Sequence, residues 1–155
     1  MGIVLAGTSL AVFQWYDIRA NMANKLVTIT RIIADNTTSA VSFVDTQDAN
    51  EVLLSLKRNS AIIGAIIYDS SGKILAHYAR DKNALSTKSY SILKSFKEYR
   101  FIKQTLEVQQ NIYLDDVIIG KVLICSDLSE LNNALLRLTY LFLTILVVVG
   151  LFAYF

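Results

Sequence analysis

The chain has 155 residues, of which 54% are hydrophobic and 18% are charged, and its net charge is only +2. This composition is too apolar for a disordered segment, and so small a positive surplus argues against a nucleic-acid-binding protein. All the charged residues lie between Asp17 and Arg137. Both ends are therefore uncharged, and the part between them has the size of one small domain.

The two uncharged ends predict membrane-spanning helices. Residues 138–155 form an uncharged run that, as a helix, nearly crosses the hydrocarbon core of a bilayer. Residues 1–16 are also uncharged, and Trp15 and Tyr16 are typical of a membrane–water boundary. The first run is short, which indicates a truncated span, with a cleaved signal peptide as the less favoured alternative. We expect residues 17–137 to lie on one side of the membrane, in a fragment of a longer receptor.

A helical repeat follows the first uncharged run. Its members recur in steps of four and three, the spacing of a heptad seam. They are Met22, Leu26, Ile29, Ile33, Asn36, Ala40 and Phe43. Asn36 is the only polar member, and a buried Asn in such a seam can fix register and partner number. Two interpretations are equally favoured: the seam joins two copies in a homodimer, or it packs on its own domain.

A second helix is predicted near the C-terminal end. Its apolar positions are Leu128, Leu131, Leu135 and Leu138. Asp127 and Glu130 give it a start that resembles a capping box. Because this helix continues into the last uncharged run, its rotation or shift could carry a signal across a membrane. Together with Met22, Leu26, Ile29, Ile33 and Asn36, these leucines form the predicted dimer and signalling seam.

The middle of the chain predicts a small mixed domain. Residues 45–59 have acids at the start, bases at the end and apolar residues at helical spacing, which indicates a short amphipathic helix. Two apolar runs within residues 61–79 and two within 105–126 are each divided by a turn, which predicts two hairpins. Residues 82–97 lack a clean period and are expected to be a loop with a short helix. The fold class is therefore α+β, an antiparallel sheet with helices on one face.

No catalytic constellation is visible in the sequence. Cys125 is the only cysteine and His77 the only histidine, so the chain cannot form an internal disulfide or a metal site of several such ligands. Nucleotide-binding and metallopeptidase motifs are absent from the sequence. We expect no catalytic, metal-binding or cofactor-binding residue in this segment. The candidates for a small-molecule pocket are Tyr68, His77, Tyr78 and Tyr113, against the simpler interpretation that they are core or surface residues.

Basic residues concentrate between Arg80 and Lys103, a stretch that contains seven basic residues and only two acidic ones. A solvated face is the simpler interpretation of this cluster. The alternative is attraction to the headgroups of membrane lipids or to an acidic partner protein.

Three segments, taken in order, resemble a known family. They are ADNTTSAVSFVD (34–45), LLSLKRNSAIIGAIIYDSSGKILAHY (53–78) and IYLDDVIIGKVLICSDLSEL (112–131). Their order is similar to that of the CHASE8-type periplasmic sensor domain, over most of residues 26–136. The most specific matches are Tyr68-Asp69 with Gly72 and Ala76, and Ile119-Gly120 before Ser126-Asp127-Leu128. The chain departs from the family at Asp115-Asp116, where members often have glycine, although Asp tolerates the positive φ that such a turn needs.

The resemblance implies a PAS-like fold between two transmembrane helices in the bacterial inner membrane, with residues 17–137 in the periplasm. It also implies a HAMP linker and an output module downstream, most often a diguanylate cyclase in cyclic-di-GMP signalling. A histidine kinase output and a non-catalytic membrane-anchored interaction protein are the alternatives. The implied partners are a second copy in a homodimer, membrane lipids, and a periplasmic regulatory protein or small-molecule signal.

Overall fold

A computed structural model describes residues 2–80, 98–102, 104–129, 136–137, 139–141 and 143–144. The helices are α1 (Gly2–Asn36), α2 (Thr38–Ser42) and α3 (Thr46–Leu54), and a single 3₁₀ turn follows at Ser55–Arg58. The strands are β1 (Ile62–Asp69), β2 (Ile74–Ala79), β3 (Tyr99–Ile102), β4 (Thr105–Leu114) and β5 (Val117–Asp127). The predicted loop at residues 82–97 lies outside the described residues.

The strands form one antiparallel sheet in the order β2-β1-β5-β4-β3. Both predicted hairpins are confirmed, as β1–β2 and β4–β5. The sequence analysis missed β3, a four-residue edge strand that pairs with β4 from Tyr99 to Ile102. So short a strand carries too few alternating positions to stand out from a loop.

One face of the sheet, here called the helix face, packs against the helices. Its strand residues belong to the same buried cluster as residues of α1, α2 and α3. They include Ala65, Ile67, Leu106, Val108, Ile112, Val122 and Ile124. The pairing of Ala65 with Ile124, and of Ile124 with Val108, aligns these side chains across three strands. The predicted α+β class, with helices on one face, is confirmed.

The helix α1 covers much of this face with a stripe of mostly small residues. The fully or nearly buried residues of the stripe are Ala23, Leu26, Val27, Thr30, Ile33 and Ala34, together with Thr37 directly after the helix. The stripe includes two threonines whose hydroxyls donate to backbone carbonyls one turn earlier, from Thr30 to Leu26 at 2.7 Å and from Thr37 to Ile33 at 2.8 Å. Because these hydroxyls are satisfied within the helical segment, they can lie in an apolar core.

The predicted N-terminal seam extends past the end of the helix that the structure shows. The helix α1 ends at Asn36, and α2 begins only after Thr37, so one uninterrupted helix does not reach Phe43. Leu26, Ile33 and Ala40 are buried in the domain's own core, while Asn36 and Phe43 are exposed. For the buried members this supports the interpretation of packing on the same domain. The homodimer seam stays a prediction.

The helix α3 begins where its sequence predicts, but it ends at Leu54, and a 3₁₀ turn takes the place of the last predicted helical residues. The Asp45 carboxylate accepts hydrogen bonds from the backbone N–H groups of Gln47 and Asp48, at 2.9 and 3.1 Å, and so caps the first turn. Ala49 and Leu53 point into the core. Lys57 and Arg58 lie in the 3₁₀ turn that follows, near the negative end of the helix.

No helix among the described residues is long and apolar enough to count as a membrane span. The run predicted as a first span is the beginning of α1, which continues from Gly2 without a break into the domain. Of the second predicted span, residues 139–141 and 143–144 are described, and they are helical. The predicted spans remain predictions.

Gly120 on β5 lies where the helix α2 and strand β1 both come close. A Cβ at this position would sit 2.4 Å from the backbone oxygen of Tyr68 and 3.0 Å from Cγ1 of Val41. The first distance is shorter than two such atoms can approach. We therefore expect Gly120→Ala to lower the free energy of unfolding by about 1–3 kcal/mol.

Urea unfolding of the purified chain, followed by circular dichroism, measures this effect. Ser70→Ala in the exposed β1–β2 turn is the matched control and should leave the midpoint nearly unchanged. An unchanged midpoint for Gly120→Ala would mean that strand β1 and helix α2 lie further from β5 than described.

The β1–β2 turn depends on the ionised carboxylate of Asp69. One oxygen accepts hydrogen bonds from the backbone N–H groups of Ser71 and Lys73, both at 2.9 Å, and from the Ser71 hydroxyl. These bonds, that of the hydroxyl first, hold the pKa of Asp69 below its usual value. A lowered pKa contributes stability that is present above the unfolded-state pKa and is lost as the pH falls through the folded-state value.

Replacing Asp69 by alanine should therefore lower the melting temperature at pH 7. The deficit should shrink as the pH falls below the ordinary aspartate pKa of about 3.9. Thermal melts of both proteins between pH 7 and pH 2.5 measure this. A deficit that is the same at every pH would show that the charge of Asp69 has no part in holding the turn.

Candidate functional site

The opposite side of the sheet, here called the reverse face, is also buried in part. Ile66 and Leu123 are paired across β1 and β5, and both are almost fully buried, as is Cys125. None of the three belongs to the core cluster of the helix face. An antiparallel sheet with helices on one side commonly turns its other side to water. The burial of this second face makes it the candidate functional site.

A charged pair lies among these apolar residues. Arg100 on β3 and Glu107 on β4 are directly opposite one another, and Glu107 is in turn opposite Cys125. Both Nε and Nη2 of Arg100 lie 2.7 Å from Oε2 of Glu107. The side chain of Glu107 is only 9% exposed and that of Arg100 31%. A carboxylate so far from water needs a cation, and the guanidinium supplies it.

Polar side chains continue along β4 on the reverse face. Gln109 and Asn111 follow Glu107 at alternate positions, and Asn111 is paired with Lys121. On the other side of β5, Tyr68 near the end of β1 is paired with the same Lys121. Burial, with a smaller contribution from Cys125, raises the pKa of the Tyr68 phenol, so it stays neutral and can both donate and accept hydrogen bonds. The reverse face thus combines an apolar floor with amide, phenol and charged groups, as small-molecule sites do.

The structure does not bring the four predicted pocket residues together. The pairing places Tyr68 and His77 on the reverse face, and His77 is exposed. Tyr78 is paired with Ala65 and packs against the core of the helix face. Tyr113 lies at the end of β4, 53% exposed, and its hydroxyl accepts a hydrogen bond from Nδ2 of Asn111 at 3.2 Å.

The sequence analysis missed Arg100 and Glu107. Part of the signal for Glu107 was present, because Glu107 and Gln109 alternate with the apolar Leu106 and Val108 and so mark a polar row on one face of a strand, although Gln110 then interrupts the alternation. No such signal existed for Arg100. Its role depends on the position of β3, which pairs with β4 only in the folded chain.

The edge strand β3 also holds the helix α1. The guanidinium carbon of Arg19 lies 4.7 Å from the ring centre of Phe101, a cation–π geometry. Further along α1, Arg31 lies 3.4 Å from Oε1 of Glu98, which also accepts a hydrogen bond from Nε2 of Gln110 at 3.0 Å. These contacts attach both ends of the packed part of α1 to the same edge of the sheet.

Part of the predicted basic cluster takes part in ion pairs. Arg80 lies 4.0 Å from the carboxylate of Asp127 and also donates to the backbone oxygen of Ser60. Arg100 pairs with Glu107. The five lysines of the cluster lie outside the described residues. Within the described ranges, no group of three His, Cys, Asp or Glu side chains could hold a metal ion.

The C-terminal part of the predicted seam is described at one position only. Leu128 is almost fully buried, and its backbone N–H donates to the carbonyl of Gln104 at 2.8 Å. Leu131, Leu135 and Leu138 lie outside the described residues. At the start of the predicted helix, the Asp127 carboxylate accepts hydrogen bonds from the N–H and the hydroxyl of Ser129, both at 2.8 Å. The predicted capping role of Asp127 has support from these bonds.

Comparison with family models gives a match to CHASE8, a periplasmic sensor domain, over residues 18–125. A search of the curated proteins gives no match. Among solved structures, the fold is similar to the extracellular domain of a protein assigned as a histidine kinase, vpHK1S-Z8, with a TM-score of 0.55 and 12% sequence identity. The similarity covers 81% of this chain and 57% of the other chain, so this chain spans little more than half of that structure.

Breaking the Arg100–Glu107 pair should destabilise the domain. We expect Glu107→Leu to lower the free energy of unfolding by about 1–3 kcal/mol, because it leaves a half-buried guanidinium without its carboxylate. Arg100→Leu with Glu107→Leu should recover part of that loss. A double-mutant cycle of urea unfolding measures the coupling. If the losses in unfolding free energy of the two single variants add up to the loss of the double variant, the two side chains do not interact.

Proposed function

Because the chain belongs to the CHASE8 family of periplasmic sensor domains, we propose that it is the sensory and dimerisation region of a transmembrane receptor that regulates a cytoplasmic diguanylate cyclase. The domain itself is the sensor and performs no catalysis. In this proposal residues 1–16 and 138–155 anchor it in the bacterial inner membrane. The single observation that carries the proposal is the family match, which covers residues 18–125.

The path of the chain through the domain supports this role. Arg19 of α1 contacts Phe101, which is paired with Leu106 near the start of β4. Thr105, the neighbour of Leu106, is paired with Asp127 at the end of β5. The helix α1 therefore approaches the sheet at the same end at which β5 leaves it. A domain held by two spans of one membrane needs both connections at one end.

The mechanism follows from the packing of α1. This helix runs unbroken from Gly2 to its contacts with the sheet, so a shift of its packed part moves its first turns as well. The strand β3 carries Arg100 on the reverse face and, one residue later, Phe101 against α1. A signal that binds the reverse face or another surface would thus bias the position of α1. In a homodimer, the predicted seam would pass this change to the output module.

The proposed signal is a small molecule or a periplasmic regulatory protein. The apolar floor and polar row of the reverse face suit a small molecule with both apolar and hydrogen-bonding groups. The lysine-rich part of the predicted basic cluster suits contact with anionic headgroups of membrane lipids.

A histidine kinase output is the second candidate. The solved extracellular domain with a similar fold comes from a protein assigned as a histidine kinase. At 12% identity this likeness concerns the fold alone. A membrane-anchored interaction protein with no catalytic output is the third candidate. The coding DNA beyond codon 155 separates all three candidates. A HAMP-like helix pair with a G-G-D/E-E-F motif would indicate the diguanylate cyclase, and a histidine box with an ATPase domain would indicate the histidine kinase. A stop codon would indicate the interaction protein.

An insertion experiment on the full-length receptor tests the mechanism. One alanine inserted after Asp17 rotates the preceding part of α1 by about 100° relative to the sheet, whereas seven inserted residues nearly restore the phase. We expect the first insertion to change cellular cyclic-di-GMP at least several-fold and the second to leave it close to the wild-type level. Equal effects of both insertions would contradict transmission through the helical phase of α1.

A further inference from the structure

The end of the sheet at which α1 arrives and β5 leaves, here called the proximal end, carries exposed basic side chains. Lys57 and Arg58 lie in the 3₁₀ turn between α3 and β1, and both are exposed. Leu54, the last residue of α3, is 57% exposed. Leu53 and Leu56 are buried in the core of the helix face. The segment from Leu54 to Arg58 therefore turns one apolar and two basic side chains outward.

Hydrogen bonds hold this segment at the proximal end. The backbone N–H of Asp127, at the end of β5, donates to the carbonyl of Ala61 at 2.8 Å. The guanidinium of Arg80, just after β2, donates to the carbonyl of Ser60. Ser60 and Ala61 follow Arg58 by two and three residues. The basic segment therefore lies beside the point at which the chain leaves the sheet.

The described charges differ between the two ends of the sheet. At the proximal end the bases are Arg19, Lys57, Arg58 and Arg80, and the acids are Asp17 and Asp127. At the opposite end the acids are Asp45, Asp69, Asp115 and Asp116, and the bases are Lys73 and Lys121. Within the described ranges, the proximal end is thus positive and the opposite end negative.

The proximal end lies close to the predicted membrane boundary. Tyr16, predicted at that boundary, is three residues before Arg19, which corresponds to about 4.5 Å along a helix. Arg19 contacts Phe101, which lies near the proximal end of β3. Each headgroup layer of a bilayer is about 5–7 Å thick. In the proposed arrangement the proximal end is therefore within reach of the headgroups, whereas the acidic end is a whole strand length away.

These features favour lipid headgroups as the occupant of the segment. No ion pair or hydrogen bond joins the side chain of Lys57 or Arg58 to another described residue. Ammonium and guanidinium groups donate hydrogen bonds to phosphate oxygens, and an exposed leucine can enter the boundary between headgroups and acyl chains. A folded acidic protein would need space between the segment and the membrane, which the short distance along α1 does not leave.

We infer that Leu54, Lys57 and Arg58 bind the membrane surface, with the two basic side chains on the headgroup phosphates of anionic phospholipids. The site is separate from the predicted basic cluster at residues 80–103. The inference rests on the proposed function, because it needs the two spans, and deepens it by giving the domain a third attachment to the membrane. The segment follows α3, which packs in the same core as α1. Contact there limits tilting of the domain, so that a shift of α1 is a movement relative to the membrane.

Fluorescence quenching in lipid nanodiscs tests the inference with the full-length receptor. A fluorophore is attached at Ser55→Cys, an exposed position next to Leu54, or at Ser70→Cys in the β1–β2 turn as the control. Cys125 is buried, and the receptor without an added cysteine measures its background. The lipid is phosphatidylcholine with or without anionic phosphatidylglycerol, and a fixed fraction has a nitroxide quencher on the headgroup. We expect anionic lipid to increase quenching at Ser55→Cys about twofold and to leave the weak quenching at Ser70→Cys unchanged.

Charge variants make the test specific. Lys57→Gln and Arg58→Gln are combined with the fluorophore at Ser55→Cys, alone and together. Lys73→Gln removes one exposed charge at the opposite end and is the matched control for each single variant. Because all three side chains are exposed, none of these changes removes a core contact. We expect the double variant and high salt each to abolish the gain in quenching that anionic lipid gives, and the control to keep it.

Several outcomes would overturn the inference. They are equal quenching at Ser55→Cys with and without anionic lipid, a gain that persists in the double variant, and stronger quenching at Ser70→Cys than at Ser55→Cys. The measurement needs no output activity, so it separates this inference from the proposed function. The expected quenching in a receptor without cyclase activity would keep the lipid contact and refute the proposed output. A receptor that cannot be incorporated into nanodiscs would refute the two spans and this inference with them.

Discussion

The domain depends on the packing of α1 against the helix face of its sheet. That face is a continuous apolar surface over the central strands, and covering it is the main source of stability for a chain with a single cysteine. The helix meets it with Ala23, Thr30 and Ala34, small side chains that bring the helix backbone close to the strands. Because α1 is one continuous helix, a shift of its packed part also moves the rest of the helix.

The same contact joins stability to signalling. A receptor that used a separate linker could change its output without disturbing its core, but here the N-terminal helix is itself part of the core. Arg19 on this helix contacts Phe101 of the edge strand β3, and Arg31 pairs with Glu98, the residue just before that strand. On that strand Arg100 faces the buried Glu107 of the reverse face. The two faces of the sheet are thus linked by a few residues of one short strand.

Local patterns predicted the elements well where local interactions decide them. The turn at Asp69–Gly72 and the paired acids at 115 and 116 mark the two hairpins by their own backbone preferences. The cap at Asp45 marks the start of α3 for the same reason. The strand β3 and the break of the first helix at Thr37 could not be predicted in this way. The first is too short to show a period. The second lies in a run of weak helix formers, Asp35 to Thr38, but the heptad spacing of the apolar residues continues across it and so predicted an unbroken helix.

The sequence by itself determined the α+β class, the two hairpins, the amphipathic helix after Asp45 and the resemblance to a sensor family, because period, turn residues and caps act between near neighbours in the chain. Only the tertiary structure decided which side chains meet. It separated Tyr78 from Tyr68, joined Arg100 to Glu107, and left Phe43 exposed. The physical reason is that strand order and register bring distant residues together, and a one-dimensional pattern carries no information about which strands become neighbours.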